Sequence, residues 1–429
     1  VTRTIKVDYL ARVEGEGALV IRFKGKQAAS VELNIYEPPR FFEAFLRGRS
    51  ALEAPDITAR ICGICPIAYQ MSACHAVEDA LGVIVSPEIR TLRRLLYTGE
   101  WVGSHALHVF MLHAPDFLGC EDALEVAKQH PELVRDGLAV KKAGNAIVTA
   151  LGGREIHPVN VRVGGFYRAP RRDELDGLIP TLEGALAAME RQLPLLASFS
   201  FPDVVRDYEL VSLRHPDEYP FCEGRIVSNR GIDIASSEYE GVFEEYQVPH
   251  STALHSRIRE RAEYFCGPLA RVNTSFDRLR PRARDAARAV GLVPPVLNPY
   301  KSLLARSVEI IQAFDEALEL ISSYRVPDRA HEPLTLRAGV GTGCTEAPRG
   351  ALYHRYTLGD DGTILDAKIV PPTSQNQATI EADLFALAPA LAELPHAEAT
   401  RRAEQAVRNY DPCISCSTHF LNLKFEHEP

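Results

Sequence analysis

Three stretches near the N-terminus alternate apolar and polar residues with a period of two. Thr4-Ile5-Lys6-Val7, Ala18-Leu19-Val20-Ile21-Arg22-Phe23 and Val31-Glu32-Leu33-Asn34-Ile35 place large apolar side chains on one face, as half-buried strands require. Gly15, Gly17 and Gly25 punctuate them, so the pattern predicts a small N-terminal sheet. From Arg40 onward the period lengthens to that of helices, broken at Pro39 and at the Pro115–Asp116 and His157–Pro158 steps. Ser86-Pro87-Glu88 reads as an N-cap followed by proline at the first helical position. Ile89, Leu92, Leu96, Leu107 and Met111 mark the apolar face of the helix it opens, which is predicted to run past Trp101 to about His113. Further long helices are predicted over Glu174–Leu196, Leu303–Tyr324, Thr379–Leu391 and Glu398–Tyr410. A second β segment over Tyr353–Val370 turns at Gly359-Asp360-Asp361-Gly362, while Pro294-Pro295 and Asp203–Glu218 read as loops. With no repeat and no flexible linker, the pattern predicts one α+β fold, predominantly α-helical.

Composition narrows the setting. The 429 residues are 46% apolar and 24% charged, an ordinary globular balance. A formal charge of −9 without a Lys/Arg run speaks against nucleic-acid binding. No stretch has the roughly 18–20 apolar residues of a membrane span, and Arg3, Lys6 and Asp8 interrupt the N-terminus too early for a signal peptide. The expectation is a cytoplasmic protein.

Nine cysteines, an odd number, in a long chain without an export signal do not suggest a disulfide framework. Four of them form two Cys-x-x-Cys pairs, Cys62/Cys65 and Cys413/Cys416, one near each end of the chain. Two intervening residues let both thiolates of a pair reach one metal from one turn, and thiolates suit zinc, nickel or iron. A zinc staple remains open, although sequence-local zinc ribbons separate their pairs by about 15–20 residues. A redox dithiol would use one pair and leave the other idle. A four-thiolate centre that clamps both ends of the fold together accounts for both. Cys74, Cys120, Cys222, Cys266 and Cys344 lack partner spacing and read as small buried side chains.

The segments around the pairs carry a resemblance. Arg60-x-Cys62-Gly63-x-Cys65-Pro66, together with Asp411-Pro412-Cys413-x-x-Cys416-x-x-His419, resembles the signature pair of the [NiFe] hydrogenase large subunit. Matching blocks recur in order: Arg12-Val13-Glu14-Gly15, Arg40-Phe41-Phe42-Glu43, Leu112-His113-Ala114-Pro115-Asp116 and His157-Pro158-Val159-Asn160. Gly267-Pro268-Leu269-Ala270-Arg271, Glu346-Ala347-Pro348-Arg349-Gly350 and Pro371-Pro372-Thr373-Ser374-Gln375-Asn376 complete the series. Pro66 and Thr373-Ser374-Gln375 are similar to the cytoplasmic, NAD(P)-linked, sulfhydrogenase-type branch. Where many relatives have a histidine four residues after the second cysteine, this chain has Tyr69.

The resemblance implies a large-subunit-like helical core with small N-terminal and C-terminal sheets, spanning residues 1–419, and reversible cleavage of H2. It implies nickel held by all four thiolates, with Cys62 and Cys413 terminal and Cys65 and Cys416 bridging to an iron that carries CO and CN ligands. By position Cys413 would be the first proton acceptor and Glu14 the gate that relays the proton. Arg349, beside Pro348, would lie over the site with Asp116 and Asp411, and the Thr373 hydroxyl would face an iron ligand. Glu43, His419 and the carbonyl near Ile369 would hold magnesium. His105, His108 and His113 read as core or interface histidines rather than as a metal cluster. The five remaining cysteines lack iron–sulfur spacing, so the clusters are expected in a partner small subunit, with diaphorase-type NAD(P)-binding subunits beyond it. Residues 420–429 would be a maturation extension removed by an endoprotease after His419. A deazaflavin- or other-acceptor-reducing hydrogenase and a related quinone-oxidoreductase subunit stand as alternatives, the latter opposed by the four cysteines.

Overall fold

The computed structural model describes residues 2–418; Val1, His419 and the 420–429 extension lie outside the described residues. The alternating stretches pair as an antiparallel meander of β1 (Thr2–Val7), β2 (Gly17–Lys24) and β3 (Gln27–Ile35), with Ile5 opposite Ile21 and Ile21 opposite Val31. Ile5, Leu19, Ile21 and Leu33 are buried, so the period-two face is the one that meets the core.

Four long helices form the centre. They are α1 (Pro66–Leu81), α2 (Pro87–Ala106), α3 (Pro131–Gly152) and α4 (Ile179–Ala197). Ser86 caps α2 by accepting the Ile89 N–H at 3.4 Å. Beyond Ala106 the helix widens into a π turn, Leu107–His113, and Pro115 opens a short helix, Ala114–Leu118, instead of ending one. α2 and α3 approach backbone to backbone: a Cβ on Gly144 would stand 2.7 Å from the Gly99 carbonyl oxygen. The predicted 174–196 helix is in fact two, Arg172–Asp176 and α4, divided at Gly177.

The chain then becomes β-rich, which the pattern did not predict. β4 (Leu210–Arg214), β5 (Arg225–Ser228), β6 (Asp233–Ile234), the hairpin β7 (Phe243–Tyr246) and β8 (His255–Ile258), and β9 (Phe265–Cys266) form a four-stranded sheet in the order β9-β4-β5-β6 beside the hairpin. β4 lies within the predicted 203–218 loop. Leu210, Val211, Ser212 and Leu213 are all buried, so both faces are covered and no alternation marks the strand.

α5 (Pro268–Ser275) and α6 (Ser302–Ser323) return to the helical layer, and β10 (Gly339–Ala347), β11 (Gly350–Leu358) and β12 (Ile364–Val370) form a second meander. β11 and β12 are the predicted β segment. β10 escaped prediction because it lies directly on α1, where a Cβ on Gly341 would sit 2.1 Å from the Ala76 carbonyl oxygen. α7 (Pro372–Ala392) begins at Pro372 rather than Thr379, and α8 (His396–Arg408) leads to the second cysteine pair. The polar Thr373-Ser374-Gln375-Asn376 run hid the first turn of α7; all four side chains are buried. The fold is α+β with a helical core, as predicted.

Candidate metal centre

Each cysteine pair sits where the backbone is held by something other than the sulfur. Cys65 stands at the N-cap of α1 but makes no side-chain cap. Buried Glu100 of α2 does so instead, accepting the Ile67 and Ala68 N–H groups at 2.6 and 3.0 Å. Burial pushes the Glu100 carboxyl up, opposed by those two donors. On the other side, Asp411 takes a left-handed turn (φ 51°), and Cys413 then bridges to Glu14 in parallel fashion, with Ile414 N–H on the Glu14 carbonyl at 2.9 Å. Arg40 joins the two loops: its guanidinium donates to the Ile61 carbonyl at 2.6 Å and also to the Ser415 carbonyl. Sequence reasoning placed Arg40 in a matching block but gave it no role.

The outcome is four sulfurs at one point. Cys62 Sγ lies 3.4 Å from Cys413 Sγ, Cys65 Sγ 3.7 Å from Cys416 Sγ, and Cys413 Sγ 3.0 Å from Cys416 Sγ. None is in a disulfide and all are buried. Hydrogen bonds from Cys413, Cys416 and Cys65 hold the Cys62 thiol well below its ordinary range, whereas burial pushes Cys413 well above it. Four buried thiols can shed their protons together only if a cation replaces them. Four soft sulfurs from opposite chain ends therefore fit a soft or borderline metal, nickel and iron included.

The surroundings are polar and directed. Cys413 Sγ is 3.0 Å from Glu14 Oε2, which also accepts the Ser415 N–H at 3.1 Å. The Ser415 hydroxyl donates to Glu37 at 3.0 Å. Arg349 is buried, with Nε on the Asp411 carbonyl at 2.6 Å, one amino group on Asp411 Oδ1 at 3.1 Å and the other on Ser104 Oγ at 3.3 Å. Burial disfavours its charge, but Asp411 and then Cys413 outweigh that and keep it protonated. Arg271 of α5 donates to the Ala347 and Pro348 carbonyls at 3.1 and 2.9 Å and so sets the turn from which Arg349 projects. Thr373 Oγ1 accepts the Cys413 N–H at 3.1 Å. Ser104 and Glu100 are contributors without a sequence signal of their own, since each works through folded neighbours, whereas Arg271 lies in a matching block that gave it no role.

Other predicted residues stand elsewhere. Asp116 is not on Arg349: it pairs with Arg408 at 2.7 and 2.8 Å and with Arg12 at 2.5 Å, tying the Glu14 segment to the end of α8. Glu43 Oε1 accepts the Ile369 N–H at 2.8 Å, so those two residues do meet, while His419 lies outside the described residues. His105 bonds Glu309 at 2.9 Å, and His108 bonds the Arg408 carbonyl at 2.8 Å. Burial lowers His105 to about 4 and His113 to about 3, so both are neutral core groups. Tyr69, one helical turn after Cys65, is buried, and its phenol is pushed well up by burial and by the Cys416 and Cys65 sulfurs. A cavity of ≈ 210 Å³ reaches Gly63, Ile64, Leu107 and Ser104 beside this cluster.

Comparison with known proteins agrees with the geometry. The pattern of the nickel-dependent hydrogenase family matches residues 40–137 and 275–419. The chain is 32% identical to sulfhydrogenase 1 subunit alpha of Pyrococcus furiosus over 427 residues, covering 98% of each chain. It is 27% identical to the NAD-reducing hydrogenase HoxS subunit beta of Cupriavidus necator, over 98% of this chain and 95% of that one. A crystal structure of NAD+-reducing [NiFe]-hydrogenase in the H2-reduced state superposes with a TM-score of 0.89 at 28% identity, covering 97% of this chain and 99% of that one.

Proposed function

The chain belongs to the nickel-dependent hydrogenase family as a [NiFe] large subunit, an oxidoreductase acting on H2, and from that premise we propose how its residues serve the reaction and where the electrons go. Cys62, Cys65, Cys413 and Cys416 would together hold a nickel–iron centre whose iron carries CO and CN ligands. When bound, that centre supplies the Lewis acidity that polarises H2 for heterolytic cleavage. Cys413 Sγ takes the proton, and Glu14 Oε2 at 3.0 Å receives it. Ser415 and Glu37 continue this hydrogen-bonded line away from the sulfurs. Arg349, fixed by Asp411 and Ser104, would offer a permanently charged planar fork to the iron's polar ligands, and Thr373 keeps its own O–H to donate. Glu43 and the backbone at Ile369, which meet at 2.8 Å, would contribute to a magnesium site, for which the resemblance adds His419. The cavity at Ile64 and Leu107 gives a small apolar molecule an approach.

The carrying observation is the meeting of four thiols outside any disulfide, with Glu14 on Cys413. An iron–sulfur small subunit takes the electrons and diaphorase-type subunits pass them to NAD(P), a reading supported by the full-length likeness to NAD-reducing relatives. A maturation endoprotease releasing residues 420–429 is part of the proposal. No helix among the described residues is long and apolar enough to cross a membrane. Purification with native partners, followed by H2-dependent reduction of NAD, NADP and a deazaflavin side by side, tests the acceptor. Pyridine-nucleotide reduction is expected; reduction of the deazaflavin alone overturns it.

A further inference from the structure

A second convergence of ligand-type side chains lies away from the sulfurs, about 12 Å further along α7 from Thr373 at 1.5 Å per residue. Glu381 of α7 meets His250, from the loop between β7 and β8, and His255, the first residue of β8. His250 Nε2 is 2.7 Å from Glu381 Oε1, and His255 Nε2 is 3.3 Å from Glu381 Oε2. All three ligand atoms lie within 4.8 Å of one another. The Leu33 N–H of β3 donates to Glu381 Oε1 at 2.8 Å, so the carboxylate is oriented by a fixed backbone group. His255 is 1% exposed, whereas His250 and Glu381 keep 22% and 17%, which leaves one side of the cluster open to solvent.

The chemistry of this set is specific. Two imidazoles and one carboxylate, delivered by three separate elements, are the nitrogen and oxygen donors that bind zinc-class dications with water completing the shell. Among the described residues, the ion pairs of Glu381 are with these two histidines and with no arginine or lysine. The other mixed cluster, His215, Glu218 and Glu223, is different, because Arg90 and Arg94 already neutralise its carboxylates. We propose that His250, His255 and Glu381 form a site for a zinc-class divalent cation, distinct from the four-thiol centre, that staples the β7–β8 hairpin to α7. The site does not depend on the hydrogenase reading.

The test uses the full-length holoenzyme with its native partners, freed of loose metal on a chelating resin and titrated with Zn2+. Zinc and nickel are counted by elemental mass spectrometry, and the zinc X-ray absorption edge is recorded. About one zinc per chain is expected beyond that held by His250→Ala or Glu381→Gln, with imidazole scattering and a dissociation constant at least tenfold tighter than in the variants. His250 is partly exposed and outside the catalytic machinery, so His250→Ala should keep its nickel and its H2 oxidation. Equal zinc uptake by wild type and variants overturns the proposal, as does a zinc shell of sulfur ligands. A His250→Ala protein that melts lower in zinc-free buffer with unchanged zinc uptake also overturns it, leaving only a hydrogen-bonded triad.

Discussion

Two buried polar clusters stand side by side in this protein, joined by the Glu346–Arg349 segment, and they are built on opposite principles. Around Arg271, every charge meets a protein partner. Its guanidinium donates to Glu309 twice at 2.8 Å, to Glu346 at 2.7 Å and to the Ala347 and Pro348 carbonyls, and it lies 4.2 Å from the Trp101 ring centre. Glu309 also accepts from Tyr219 at 2.7 Å. Burial would raise Glu309, but the Arg271 charge outweighs it and holds the carboxyl at about 2. Around Cys413 the sulfurs crowd to 3.0–3.7 Å of one another, an array whose thiolate charge a metal cation would balance. A buried network completed by the protein itself fixes the backbone; one left incomplete takes up something from outside. The first cluster aims Arg349 at the second.

Substitutions can break the contrast. Cys413→Ser should abolish H2 turnover and impair nickel retention, because a hydroxyl is a poor nickel ligand, while the Arg271 cluster and the fold persist. Full activity with normal nickel would sink the four-thiolate assignment. Glu14→Gln should retain nickel and iron yet slow H/D exchange by about 10²–10⁴-fold, since an amide cannot relay a proton; an unchanged exchange rate removes Glu14 from the path. Arg271→Met strands Glu309 and Glu346 in the core and should cost about 3–5 kcal/mol in denaturant unfolding. A loss below about 1 kcal/mol would show that the completed network is not what fixes this region.

Arg349→Lys keeps the charge but not the fork on Asp411 and Ser104. H2 oxidation should fall roughly 10–100-fold with nickel content intact, and wild-type rates would show that charge alone suffices. The smallest effect concerns Glu245 on β7, raised to about 7 by burial against the pull of Lys368. Its neutral form is favoured in the folded state, so its contribution to stability is full below pH 4.5 and is lost as pH rises to about 7. Glu245→Gln should flatten that slope by about 1–2 kcal/mol in unfolding curves between pH 5 and 7; identical slopes would contradict it.

The sequence reveals most where chemistry is spelled in single residues. The two cysteine pairs, Glu14, Arg349, Asp411 and Thr373 meet in space, although they are scattered from one end of the chain to the other. The β1–β3 meander and the Ser86-capped α2 were legible because one face is wet and the other dry. β4 and β10 were not: β4 is covered on both faces, and β10 replaces side chains with glycine to lie on α1. Asp116 shows a different limit. Its block is recognisable, but only the fold reveals that Arg12 and Arg408 claim its carboxylate. Supporting residues such as Glu100 and Ser104 carry no pattern at all, because each bonds a group distant in sequence.

The central claim is that the four thiols hold a nickel–iron centre which splits H2 beside Glu14. Exchange between D2 and solvent protons, measured on the enzyme purified with its native small subunit and without any electron acceptor, tests it most directly when paired with metal analysis of the same sample. Rapid HD formation with about one nickel per large subunit, and iron in excess of nickel because the small subunit's clusters add to the iron of the centre, is the predicted result. Zinc in the four-cysteine site with no exchange would contradict it.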